Sequence, residues 1–158
     1  MKHIIYLSLG ANLGDRLANL RAAVDSLAPG VRVLAESKIY ERKAWGVEEQ
    51  PAFLNMAVKA KTELEPMELL AYLKRLETKL GRTATFRWGP RLIDIDILLY
   101  DDLVLDRPEL TIPHPGLPQR SFVLVPLEEI AADVVHPAIG KTVHALWEAV
   151  DRSGVEPA

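Results

Sequence analysis

LIDIDILLY, residues 92–100, is the stretch from which the fold reads outward. Its run of isoleucines and leucines, ended by a tyrosine, predicts a buried strand. Ahead of it, Pro66 and Gly81 bracket a helix whose stripe is Leu69, Leu73, Leu76 and Leu80. FLNMAVKAK (53–61) reads as a strand before that helix, VRVLAESKIY (31–40) as another, and IIYLSL (4–9) as the first. Between the first two, GANLGD (10–15) turns into a helix with apolar positions Leu17, Leu20, Val24 and Leu27 and Asn12 as its N-cap. The order strand, helix, strand, strand, helix, strand predicts an α+β fold: a ferredoxin-like βαββαβ core sandwich with two helices on one face of a sheet. A short C-terminal hairpin, a Pro-rich turn (TIPHPGLP, 111–118) and helices near 121–132 and 142–150 add to this core. The tail DRSGVEPA (151–158) is expected to fray.

The whole chain fits one domain, residues 1–158, with 49% apolar and 26% charged residues and no repeat or linker. Its formal net charge of −3 argues against a general grip on nucleic acid or an anionic membrane. Cysteine is absent, which removes disulfides and thiolate metal sites. The apolar run at 4–9 is too short for a signal-peptide core or a bilayer span, and a cytoplasmic location fits.

Two acidic residues interrupt LIDIDILLY. Strand side chains alternate, so Asp94 and Asp96 share one face while Ile93, Ile95 and Ile97 share the other. Adjacent carboxylates repel unless water or a cation separates them. Two readings follow: a wet strand face, or a site for a hard cation such as Mg²⁺ or Mn²⁺ shared with phosphates. The flank bears on the choice. Between Gly81 and Ile93 stand Arg82, Arg87 and Arg91, with Gly89 and Pro90 and no acidic residue. A cationic loop feeding a carboxylate pair describes a polyphosphate site. The plainer counterpart is a solvated basic loop. Walker A and G-x-G-x-x-G motifs are absent, and Gly10 and Gly14 read as turn glycines.

A second constellation lies in QPAFLNMAV (50–58), where Phe53 and Asn55 share a face and Leu54, Met56 and Val58 face the core. A flat ring beside an amide that donates and accepts suits a planar, nitrogen-rich heterocycle; an ordinary half-exposed strand is the alternative. TIPHPGLPQRSF (111–122) adds His114, Arg120 and Phe122 around a rigid turn, with His114 either a phosphate ligand or a satisfied turn residue. His3, His136 and His144 have no metal-ligand spacing. Trp147 falls on the stripe Val143, Leu146, Trp147, Val150 and is expected in the core.

Together, LSLGANLGD, YERKAWGVEEQPAFLNMAV, RWGPRLIDIDILLY and TIPHPGLPQRSF resemble the 6-hydroxymethyl-7,8-dihydropterin pyrophosphokinase family of folate biosynthesis. The resemblance implies an ATP-dependent diphosphotransferase that passes pyrophosphate to the pterin and releases AMP. It implies two Mg²⁺ ions on Asp94 and Asp96, and Arg82 and Arg91 as catalytic arginines on the triphosphate. ATP contacts would fall at Lys74, Trp88, Ile97, Thr111, His114 and Arg120. The pterin would lie between Phe53 and Phe122, read by Asn55, with backbone contacts at Arg42 and Trp45. Its partners would be these two small molecules, without nucleic acid, membrane or an obligate protein. The chain departs from some relatives in carrying TATF after Arg82, Lys74 in place of Gln and Pro115 in place of Tyr. Two other classes compete: a non-catalytic ferredoxin-like module that binds nucleotide as a signal, and an ordinary kinase that leaves ADP.

Overall fold

The structure is a computed structural model that describes residues 1–42, 52–81 and 92–158. Five of its eight strands carry the main sheet path. β1 (His3–Ala11) lies between β4 (Phe53–Thr62) and β5 (Asp94–Tyr100), and β4 continues outward to β3 (Tyr40–Arg42) and β8 (Val155–Pro157). β2 (Val31–Glu36) also pairs with β4, and every pairing is antiparallel. With α1 (Arg16–Asp25) and α2 (Pro66–Lys79) in the connections, this is the ferredoxin-like α+β arrangement. β6 (Leu105–Asp106) and β7 (Thr111–Ile112) form the separate hairpin.

Each face of the sheet has its own core. Ile5, Leu7 and Leu9 of β1, Met56 and Val58 of β4 and Ile95 of β5 bury one face with Leu20 of α1 and Leu69 and Leu73 of α2. The opposite face takes Tyr6, Ala57, Leu98 and Leu99 against α3 (Ser121–Ala131) and α4 (Val143–Ala149). Period-two alternation produces this division. It slips in β5: Tyr6 pairs with Leu99 but Leu7 with Ile97, so Leu98 is the extra residue of a bulge and joins Leu99 on the α3 side. α3 covers only part of its face, and the part beyond its first residues is the cleft described below.

Several local expectations give way to tertiary context. β1 runs on to Ala11, so α1 starts later than Asn12 would require. Asp15 caps it instead, its Oδ1 accepting the Ala18 N–H at 3.1 Å, and Asn12 is buried. Leu17, now in the first turn, is 52% exposed, while Leu27 reaches the core from beyond the helix end. The single strand expected over 31–40 is two, broken at Ser37, whose N–H still donates to the Ala57 carbonyl at 2.9 Å while its hydroxyl takes the place of its own carbonyl as acceptor. Its hydroxyl accepts the Ala57 N–H at 2.9 Å and donates to the Lys38 carbonyl at 2.7 Å. Trp147 is half-buried rather than core, stacked on His144 with its ring under the Arg152 guanidinium. The tail does not fray. Residues 155–157 pair with β3, and Ala158 N–H donates to the Ile39 carbonyl at 2.9 Å. α2 ends as expected, with Gly81 at φ +94° past its last turn. No helix among the described residues is long and apolar enough to cross a membrane.

Candidate active site

Strand register assembles the site. Gly10 of β1 stands opposite Asn55 of β4 on one side and Asp94 of β5 on the other. One step along, Ser8 stands opposite Ala57 and Asp96. Asn55 and Asp94 are thus in one cross-strand row, two strand spacings or roughly 10 Å apart. All of these face the α3 side. Gly10 is therefore a strand residue and not a turn glycine. A Cβ there would come within 2.7 Å of the Asn55 Nδ2, so the missing side chain is the space the amide occupies. Gly14, at φ +66°, is the turn glycine.

Ser8, Gly10, Asn55, Asp94 and Asp96 line a cleft of about 130 Å³ with Arg42, Phe53, Leu98, His114, Arg120, Phe122 and Val123. β4 and β5 supply its floor, and the first turn of α3 supplies Phe122 and Val123 at one wall. The TIPHPGLP turn supplies His114. Asn55 is 5% exposed, Asp94 half-buried and Asp96 exposed. The strand that looked interior is interior on one face only at this end. Its aspartates open to the cleft, so the wet face and the cation site are compatible descriptions of one place.

His114 is a satisfied turn residue. Its Nδ1 accepts the Gly116 N–H at 3.0 Å, which fixes the turn and leaves Nε2–H as the donor of the neutral ring. Burial pushes its pKa below the ordinary value, opposed by nearby Asp96 and assisted by Arg120. Arg42 and Arg120 bring positive charge to the wall. The Arg42 guanidinium carbon lies 4.4 Å from the Phe53 ring centroid and 3.7 Å from that of Phe122, and its Nε donates to Asn55 Oδ1 at 3.1 Å. Burial, then the neighbouring Arg120, lowers the Arg42 pKa to about 10.

Not every residue singled out converges here. Lys74 is exposed on α2, 3.4 Å from the Glu77 carboxylate, and Ile97 is packed in the α1/α2 core. Thr111 lines a neighbouring groove that shares His114 with the cleft. Trp45, Arg82, Arg87, Trp88 and Arg91 lie outside the described residues. Sequence reading missed Ser8, Gly10 and the Arg42 side chain. LSLGANLGD did carry a signal for Gly10, since a glycine inside a strand pattern marks close approach as often as a turn.

The sheet thus carries a cleft with paired carboxylates, arginines and an aromatic-amide slot. The family model for 7,8-dihydro-6-hydroxymethylpterin-pyrophosphokinase matches residues 6–132, and the chain belongs to that family. The 2-amino-4-hydroxy-6-hydroxymethyldihydropteridine pyrophosphokinase of Aquifex aeolicus is 47% identical over 137 residues, 87% of this chain and 86% of its own. The same enzyme of Methylorubrum extorquens is 46% identical over 153 residues, 96% of each chain. Among solved structures, that of Plasmodium falciparum HPPK-DHPS A437G with STZ-DHP superposes with a TM-score of 0.77 at 15% identity, covering 94% of this chain and 45% of that one. That likeness speaks to the fold. Family membership gives the non-catalytic module no support.

Proposed function

We infer that this chain transfers pyrophosphate from ATP to 6-hydroxymethyl-7,8-dihydropterin, giving AMP and the pterin diphosphate in folate biosynthesis. The observation that carries the reading within the structure is the row Asn55, Gly10, Asp94, which sets an aromatic-amide slot beside a carboxylate pair in one cleft. Phe53 and Phe122 would sandwich the bicycle, and Asn55 would read its polar edge, with backbone contacts at Arg42 and Trp45. The hydroxymethyl oxygen would then point along the row towards Asp94.

The donor set suits a hard cation. Two carboxylates on one strand face, open to water, leave most of an octahedral shell for water and phosphate oxygens, which is the habit of Mg²⁺. Among the described residues no third acidic, histidine or cysteine ligand joins them. Asp94 and Asp96 would hold the ion, with two Mg²⁺ as the full complement. When bound, it supplies positive charge to the triphosphate and acidifies a coordinated hydroxyl.

The chain's own groups do the rest. In the reaction the hydroxymethyl oxygen forms a bond to the β-phosphorus, the bridging oxygen leaves with AMP, and the hydroxyl proton passes to solvent. His114 would donate Nε2–H to a phosphate oxygen, Arg120 would face the leaving α-phosphate, and Arg82 and Arg91 would stabilise charge on the transferring group. Trp88 and Thr111 would complete the ATP contacts, Thr111 from the groove that shares His114, whereas Lys74 and Ile97 do not line the cleft. Holding the phosphates in this way would favour in-line geometry over diffusion of the two substrates. On this reading the chain works as a single unit, residues 1–158, in the cytoplasm, on two small molecules and without nucleic acid, membrane or an obligate protein partner.

Product analysis is the test. Protein incubated with ATP, Mg²⁺ and 6-hydroxymethyl-7,8-dihydropterin should yield AMP and pterin diphosphate in equal amounts. ADP as the nucleotide product, or binding without turnover, would overturn the reading.

A further inference from the structure

The slot between Phe53 and Phe122 is filled in the absence of ligand. Arg42 stands opposite Phe53 in the β3–β4 register, which sends its side chain to the cleft face. The guanidinium carbon then lies over both rings, at 4.4 and 3.7 Å from their centroids, while Nε donates to Asn55 Oδ1 at 3.1 Å. Those are the three interactions a flat, amine-bearing heterocycle would make in the same place. A guanidinium is itself flat and amine-bearing, and the 2-amino-pyrimidinone edge of a pterin carries the same N–C–N unit.

We propose that the Arg42 side chain is a built-in competitor for the pterin slot, seated between Phe53 and Phe122 on Asn55 and displaced when pterin enters. The proposal rests on the pterin reading above. Two features favour an exchangeable occupant over a permanent strut. Asn55 Oδ1 is the acceptor the slot offers to a ligand, and Arg42 is using it. The cation is also placed against Arg120, whose guanidinium carbon lies 5.8 Å from the same Phe122 ring. Burial first, and that like-charge neighbour second, disfavour the charged side chain where it sits and lower its pKa. Cation–π contact with two rings holds it in; repulsion and desolvation work to release it. Competition of this kind weakens pterin binding without touching any atom of the bound pterin.

Calorimetry and NMR test it together. In the free protein the Arg42 Hε resonance should lie upfield of the usual arginine position, shifted by the two ring currents. It should return towards that position when 6-hydroxymethylpterin is added. Arg42→Ala and Arg42→Met should both bind pterin more tightly, on the order of tenfold, the equivalent of one desolvated cation–π contact no longer given up. An unshifted Hε in the free protein, or pterin affinity unchanged or weaker in both variants, overturns the proposal. A different result separates it from the functional reading. If wild type and both variants fail to bind pterin while Hε remains upfield, the pterin reading is overturned and the seating of the arginine stands.

Discussion

The Glu77 carboxylate on α2 accepts the backbone N–H of Ile95 at 2.8 Å, at the one residue between Asp94 and Asp96. Among the described residues β5 is the edge of the main sheet, so this buried side chain supplies an acceptor where none of their strands does. Lys74, 3.4 Å away, partly offsets the buried charge. Glu77→Ala should cost about 1–3 kcal/mol in urea unfolding, the penalty of an orphaned buried N–H, and should lower turnover by loosening the aspartates' strand. Glu77→Gln keeps an acceptor and should recover most of both. A stable, fully active Glu77→Ala protein would mean that the bond does not hold the strand.

Gly10→Ala is the sharpest test of the cross-strand row. The new methyl would stand within 2.7 Å of Asn55 Nδ2 and push the amide out of the slot. The strand backbone accepts alanine, so pterin affinity should fall about tenfold or more, the scale of one lost buried hydrogen bond, with ATP affinity intact. Calorimetric titrations with each substrate check it. Equal loss for both ligands would point to a disturbed sheet.

Asp94→Asn and Asp96→Asn keep shape and remove one charge each. Asp96 is exposed, so its replacement should shift the thermal midpoint of the metal-free protein little, with relief of repulsion giving at most a small gain. AMP formation against Mg²⁺ concentration should collapse for either variant. Activity near wild type would remove the carboxylates from the metal site.

Two histidines should titrate with opposite signs. Burial is the main cause that lowers His114 below 6.5. Unfolded His114 therefore takes up the proton first, and its contribution to stability is fully present above 6.5 and lost as pH falls towards the lower folded value. The Glu128 hydrogen bond is the main cause that raises His144 above 6.5. Its contribution is present below 6.5 and lost as pH rises through the folded value. NMR titration of the ring protons should place the two midpoints on either side of 6.5. Midpoints in the reverse order would contradict both environments.

Where the sequence spoke clearly, a period carried the message. Alternation in LIDIDILLY and FLNMAV put Asp94 with Asp96 and Phe53 with Asn55, and the leucine spacing of α2 gave its buried face. Elements of three residues have no period to read, so β3 and β8 were invisible, and with them the pairing that holds 155–157. Asn12 and Asp15 are both good caps; how far β1 extended decided between them, and that depends on β4 and β5. Glu77 sits beside the leucine stripe, where the helical spacing of apolar residues does not mark it. Its partner is a backbone N–H from a strand nearly twenty residues on, as the separation of 18 records. The Arg42 side chain met the slot only through register with Phe53, a relation that no local pattern contains.

The seated guanidinium also bears on the heat of binding. Removing apolar surface from water makes the heat capacity change of association negative. In this protein the inner faces of Phe53 and Phe122 are already covered by Arg42 before any ligand arrives. Pterin entering the wild-type slot dehydrates little new ring surface, and the arginine it ejects regains its own hydration. The heat capacity change should therefore be smaller in magnitude for wild type than for Arg42→Ala, so the temperature dependence of the binding enthalpy carries the trace of a ring surface that was never wet.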